Sequence, residues 1–228
     1  MKKLILVLTI VFGLASLCSA EVIFKTDFSK GDFADLGWIV KGDWDIFKYG
    51  VKNDPGPVAR YPTNKPDGGT LTKKFEEVKD PQKLILSFDY GWGWGAEDQG
   101  ADSVSIMLLD SNGDGYIFSI GRWKAKWCFQ WGIVKNGVPP KEKKWAPEDM
   151  DFTLKSIRDP NFEKLGHVII TREKGGNWII TGENWNKGKG GTIKFTDNTV
   201  SSFSQVVLYG TKNFDEQVFN NIMLDVTK

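Results

Sequence analysis

The chain has 228 residues, of which 30 are lysine or arginine and 29 are aspartate or glutamate, so its net charge is +1. This balance gives no indication of nucleic acid or an anionic membrane as a partner. There are ten tryptophans and two cysteines, and Cys18 stands in an apolar N-terminal run whose removal would leave Cys128 alone. Stability must then come from an apolar core rather than from a disulfide.

The first twenty residues have the pattern of a secretory signal peptide. Lys2 and Lys3 give a basic start, residues 4–17 are almost wholly apolar, and Ala20 ends a stretch of small residues. A lipoprotein signal acylated at Cys18 is the alternative, but the residue before that cysteine is a bulky leucine. We therefore expect a secreted or periplasmic protein, cleaved after Ala20.

Residues 21–228, the mature part, are expected to form a single domain. We expect no insertion into a membrane, because no later stretch is long and apolar enough to span one.

Apolar and polar residues alternate with period two, most clearly over residues 84–89, 103–108 and 127–133. Such alternation is typical of strands with one face on a core. Turn signals such as Asn136-Gly137 separate the runs. Many short antiparallel strands in one domain predict an all-β, two-sheet antiparallel sandwich of the jelly-roll type.

Half of the tryptophans are expected to fill the core of this sandwich, because they stand in alternating runs. These five are Trp38, Trp44, Trp127, Trp131 and Trp178.

Three segments resemble domains of the concanavalin A-like lectin and glucanase superfamily. "TDFSKGDFADLGWIVKGDWDIF" resembles the superfamily's opening segment, "GHVIITREKGGNWIITGE" its late hairpin and "QVFNNIMLDV" its closing strand. The resemblance covers most of residues 21–228 and implies a jelly roll with a carbohydrate ligand. Its motifs are structural and indicate no single family. The sequence specifies neither the glycan nor the oligomeric state.

Catalytic motifs of the superfamily are missing from the sequence. Its β-glucan-cleaving members carry a Glu-x-Asp-x-Glu strand, whose alternation places two glutamates on one face, and its alginate-lyase branch carries an Arg-Glu-x-Arg strand. Neither occurs in this chain. We therefore expect carbohydrate binding without cleavage. A glycoside hydrolase or polysaccharide lyase on the same scaffold is the alternative, and a structural or adhesive surface protein is a further one.

The stretch "DYGWGWGAEDQG" contains the first candidate binding residues, Asp89, Trp92 and Trp94. Indole rings pack on the C–H-rich faces of sugars, and carboxylates bind their hydroxyls. Two interpretations are open. The strand continues, with both tryptophans in the core and the glycines forming the floor of an outer groove beside Asp89, or it ends near Tyr90 and frees the rings onto a rim loop.

Two further tryptophans are candidates for an exposed rim. Trp185 lies in a polar segment without apolar alternation, and Trp145 lies in a basic, proline-bearing loop. The resemblance also implies a structural Ca²⁺ between the first and last strands, for which Asp27 and Asp225 could supply oxygen ligands.

Overall fold

The computed structural model describes residues 20–62, 65, 68–93, 101–123, 126–145, 157–183, 190–210 and 216–228. These residues form fifteen strands, and none of them belongs to a helix that could cross a membrane. In chain order the strands are β1 (Ala20–Thr26), β2 (Trp38–Lys41), β3 (Asp45–Phe47), β4 (Val58–Tyr61), β5 (Gly69–Lys79), β6 (Lys83–Trp92), β7 (Ala101–Leu109), β8 (Gly115–Trp123), β9 (Lys126–Val134), β10 (Lys144–Trp145), β11 (Gly166–Glu173), β12 (Asn177–Gly182), β13 (Gly191–Thr196), β14 (Ser202–Gly210) and β15 (Gln217–Thr227).

The strands form two antiparallel sheets that face each other. Sheet A has the order β13-β12-β11-β6-β15-β4-β3, and β1 pairs with the half of β15 that β4 does not reach. Sheet B has the order β10-β9-β8-β7-β14-β5-β2. The predicted all-β, two-sheet antiparallel sandwich is therefore confirmed.

Strand β6 shows how the sequence pattern sets the two faces of sheet A. Leu84, Leu86 and Phe88 are buried in the core between the sheets. The residues between them point to the outer face because successive side chains of a strand alternate. Asp89 therefore lies on the outer face, in the centre of the sheet.

The core is rich in aromatic rings. Trp178 is fully buried, and its ring centroid lies 4.6 Å from that of Tyr116 and 5.3 Å from that of Phe118. Ring pairs at these distances add to the burial of apolar surface. The predicted core positions are confirmed for Trp38, Trp44, Trp131 and Trp178, whereas the side chain of Trp127 lies outside the described residues.

A second, smaller apolar layer covers one end of the outer face of sheet A. Ile157, Phe162 and Leu165 pack there with Val58 of β4 and Val218 of β15. A Cβ atom at Gly91 would lie only 2.7 Å from Leu165 Cδ2. The layer can approach the sheet because this strand position has no side chain.

Strand β6 continues through Trp92, as the first of the two interpretations predicted. Trp92 is 4% exposed and belongs to the core, and its carbonyl accepts a hydrogen bond of 2.9 Å from the backbone N–H of Ile157. The glycine that precedes it lies beneath the second apolar layer.

Candidate functional site

Polar side chains of three neighbouring strands meet on the outer face of sheet A. Asp89 of β6 lies directly opposite His167 of β11 and, on its other side, opposite Asn220 of β15. The pairing register alone brings these residues together, because residues opposite each other in antiparallel strands have side chains on the same face.

The Asp89 carboxylate is held from both sides. His167 Nδ1 lies 2.6 Å from Asp89 Oδ1, and Asn221 Nδ2 donates a hydrogen bond of 2.6 Å to Asp89 Oδ2. Because a carboxylate can only accept hydrogen bonds, Nδ1 of the imidazole carries the proton. Each oxygen keeps one acceptor direction for a further donor.

Asn221 reaches Asp89 because β15 contains a bulge. The register with β6 shifts between Asn220 and Met223, and Asn221 has a φ of 47°. Asparagine tolerates this left-handed conformation better than most residues. A bulge inserts an extra residue and redirects its side chain, and here the redirected group is the amide that binds the carboxylate.

These residues line a pocket of about 610 Å³. The remaining lining comes from the loop before β4, from the segment before β11 and from the end of β12. The lining residues are Asn53, Asp54, Pro55, Asp89, Glu163, Lys164, Leu165, His167, Glu183, Asn220 and Asn221. Carboxylates, amides and one imidazole therefore surround a space large enough for a small ligand.

The Asp89 carboxylate changes the titration of His167. Its hydrogen bond to the imidazole raises the pKa of His167 above the ordinary value of 6.5, although partial burial acts in the opposite direction. Because the folded-state pKa of His167 is raised, the ion pair makes its full contribution to stability at pH values below the unfolded-state pKa. This contribution disappears as the pH rises through the folded-state pKa.

His167 is the only histidine of the chain, so its titration can be measured without resonance assignment. We expect the imidazole C–H resonances in the ¹H NMR spectrum to titrate with a pKa above 6.5. Asp89→Asn should lower this pKa, because the carboxylate that favours the charged imidazole is gone.

The matched control for this titration is Glu173→Gln, which removes an exposed carboxylate at the far end of β11, outside the pocket. It should leave the pKa unchanged. An imidazole that titrates below 6.5 in the wild-type protein would contradict the ion pair.

A buried ion-pair network lies beyond Gly91, under the same outer layer. Glu216 is 3% exposed. Its Oε1 accepts hydrogen bonds of 2.9 Å from both Arg60 Nη1 and Arg158 Nη2, and its Oε2 lies 3.0 Å from Arg158 Nε. Arg60 also pairs with Asp45. Arg158 precedes the segment that contributes Glu163, Lys164 and Leu165 to the pocket. Its pairing with Glu216 therefore connects this segment to sheet A.

Two glycines of β6 and its continuation make room for this arrangement. The carboxylate of Glu216 occupies the place that a Cβ atom at Gly93 would take, as Leu165 does at Gly91. The glycines therefore form a floor, as the sequence predicted, but buried groups of the same chain cover it. The open groove lies next to it, at Asp89.

The structure places the other predicted sugar-binding residues as follows. The ring of Trp92 is in the core and presents no face to a ligand, because the strand parity points it inward. Trp145 lies on β10, but its side chain is outside the described residues. Trp94 and Trp185 are also outside them. Of the predicted sugar-binding residues whose side chains the structure describes, Asp89 lines the pocket and Trp92 does not.

The two predicted calcium ligands do not lie together. Asp225 pairs with Val22 in the register of β1 and β15, five residues before Asp27, a separation of roughly 15 Å along an extended strand. One ion with ligand distances of about 2.5 Å cannot contact both carboxylates. No cluster of three or more His, Cys, Asp and Glu residues suited to a metal occurs in the described ranges. Calcium binding stays a prediction.

No protein-family model and no curated protein matches the sequence. Solved structures do match the fold. The carbohydrate recognition domain of Emp47p aligns with a TM-score of 0.60 and 10% identity, over 91% of this chain and 96% of that one. The metal-free exoplasmic/lumenal domain of VIP36 aligns with a TM-score of 0.58 and 11% identity, over 92% and 94%. Peanut lectin aligns with a TM-score of 0.54 and 9% identity, over 91% and 98%.

At these identities the likeness concerns the backbone arrangement. The chain has the concanavalin A-like jelly-roll fold of lectin domains, and the fold predicted from the sequence is confirmed. The VIP36 domain has also been solved in a form with bound Ca²⁺ and mannose.

Proposed function

We propose that this protein binds a carbohydrate without cleaving it, and that the pocket beside Asp89 is the binding site. The observation that carries the proposal is the Asp89 carboxylate, oriented by His167 and Asn221 in a pocket of about 610 Å³. The scaffold is shared with carbohydrate-binding lectins, which supports this ligand class by analogy.

The polar lining of the pocket suits sugar hydroxyls. A hydroxyl both donates and accepts hydrogen bonds, so it pairs well with a carboxylate next to an amide. Asp89 offers a free acceptor direction on each oxygen, and Asn221 is exposed beside it. Because Asp89 is already held in place, binding orders few additional side chains, which favours affinity.

Aromatic rings are the second part of the proposal. Glu183 lines the pocket, and Trp185 follows it by two residues in the sequence, so an indole near the rim is expected there. We retain Trp94 and Trp145 as rim candidates. Trp92 contributes only as a core residue beneath the strand that bears Asp89.

The proposal predicts that Asp89→Asn weakens glycan binding by about tenfold or more, because a hydrogen bond to a charged acceptor contributes about 1.5–3 kcal/mol. A glycan array should first identify a ligand, whose dissociation constants for the wild type and the variant are then measured by calorimetry. Glu173→Gln should bind like wild type. An assay for released reducing sugar should show no product, since product formation would identify the alternative enzyme.

An Asp89→Asn protein that binds a confirmed glycan with unchanged affinity would place the sugar site elsewhere. Such a result would favour the segments that contain Trp94, Trp145 and Trp185, and the corresponding tryptophan-to-alanine variants would locate the site.

We also propose that the chain is exported and that residues 1–20 are removed. The support is the basic start, the apolar run and Ala20 at the cleavage position. Intact-mass measurement of the exported protein should identify Glu21 as the first residue. A lipid-modified Cys18 would instead indicate attachment to a membrane surface.

A further inference from the structure

The charges around the pocket do not balance. Four carboxylates line it, and the only cations among its lining residues are Lys164 and His167. The pocket thus has two more carboxylates than cations even when the imidazole is protonated, whereas the chain as a whole is nearly neutral.

Both cations are already engaged. His167 pairs with Asp89 at 2.6 Å, and Lys164 Nζ lies 3.9 Å from Glu183 Oε2. Of the two remaining carboxylates, Asp54 accepts backbone N–H bonds from Gly50 and Gly56, and Glu163 is exposed. An incoming anion would share each cation with a carboxylate that already faces it, and the four carboxylates together would repel it.

Arginine, the side chain best suited to bind a carboxylate or sulfate through two hydrogen bonds, does not line the pocket. Two guanidinium groups under the outer layer, those of Arg60 and Arg158, both bind the buried Glu216. They are therefore committed to the ion-pair network under the outer layer.

We infer that the pocket selects glycans by charge, accepting neutral sugars, binding amine-bearing sugars best and excluding sugars that carry carboxylates or sulfates. This inference rests on the proposed function and names the ligand class of the same site. The cavity and the oriented Asp89 define the site, and the surplus carboxylates set its preference. A protonated sugar amine would pair with Glu163 without displacing any existing partner.

The test compares neutral, amine-bearing and carboxylate-bearing oligosaccharides of matched backbone and length, at a pH where the amine is protonated. At low ionic strength we expect the amine-bearing member to bind several-fold more tightly than the neutral one, and the carboxylate-bearing member at least tenfold more weakly. Added salt should reduce both differences, because it screens charges at the pocket mouth.

Glu163→Gln is the decisive variant, because Glu163 is exposed and its loss should not disturb the fold. It should remove most of the advantage of the amine-bearing sugar, measured as the ratio of the dissociation constants of the neutral and the amine-bearing sugars. The matched control Glu173→Gln should leave this ratio unchanged. The imidazole resonance of His167 provides an independent signal, since a bound cation beside Asp89 should lower the pKa of His167.

Two negative results are distinguishable. If a carboxylate-bearing glycan binds as tightly as its neutral counterpart, or if Glu163→Gln preserves the amine preference, the charge selectivity is wrong while sugar binding stands. If no glycan of any class binds or perturbs the His167 resonance, the proposed sugar site is wrong, and the selectivity inferred for it fails with it.

Discussion

Glu216→Ala is expected to lower the free energy of unfolding by about 3–5 kcal/mol, the usual effect of removing one partner of a buried ion pair. The loss is large because Glu216 is 3% exposed and accepts hydrogen bonds from both Arg60 and Arg158. Without it, the guanidinium groups of Arg60 and Arg158 lose the carboxylate that both of them bind, and Arg60 keeps its pair with Asp45. Denaturant unfolding of the wild type and the variant measures the difference.

The control for this experiment is Glu173→Ala, which removes an exposed glutamate from the same sheet and should change stability by less than about 0.5 kcal/mol. A Glu216→Ala protein as stable as the control would mean that the network contributes nothing net, which occurs when desolvation of the charges cancels their attraction.

The same residue should make the stability of the fold depend on pH in the acid range. Although burial alone would raise it, hydrogen bonds and charge from Arg158 and Arg60 hold the pKa of Glu216 below its ordinary value of 4.5. A carboxylate with a lowered folded-state pKa stabilises the fold above the unfolded-state pKa, and this stabilisation is lost as the pH falls through the folded-state pKa. Below pH 4.5, stability should therefore fall less steeply in Glu216→Gln than in the wild type.

Trp92→Ala is the second substitution with a large expected effect, a loss of about 3–5 kcal/mol in the free energy of unfolding. Trp92 is 4% exposed within the main core, so truncation removes apolar burial and leaves a cavity. Chemical denaturation should show a lower midpoint with an unchanged slope. Ile39→Ala, at a position that is 55% exposed, should be close to neutral.

Trp92→Ala could instead leave stability unchanged and abolish sugar binding. The indole would then be an exposed surface for a sugar ring, and the side chain at the end of β6 would not point into the core. The two outcomes correspond to the two interpretations that the sequence left open for this stretch.

Much of the fold was predictable because one sheet face is buried and the other is not. The alternation of residues 84–89 gave both the strand and the outward direction of Asp89. Four tryptophans in alternating runs, Trp38, Trp44, Trp131 and Trp178, are confirmed in the core for the same reason. The end of β6 was harder, since glycine at every second position removes the polar half of the pattern.

The rest of the site depended on contacts between residues far apart in the sequence. His167 lies 78 residues from Asp89 and appears in the sequence only as the first polar residue of an apolar strand. Its outward parity, opposite to that of Val168 and Ile170, was the one available signal. Glu216 and Arg60 are 156 residues apart, and no local sequence pattern predicts a buried ion pair between residues so distant. The bulge at Asn221 likewise depends on pairing with β6.

Strand β15 is the last strand of the chain, yet it lies in the middle of sheet A, with β6 on one side and β1 and β4 on the other. A growing polypeptide therefore cannot close this sheet until about two hundred residues have followed β1, and contacts between such distant segments form slowly. Until β15 arrives, β1 lacks the only strand with which it pairs in the described chain. The topology thus makes closure of sheet A one of the last steps available to a chain that grows from its N-terminus.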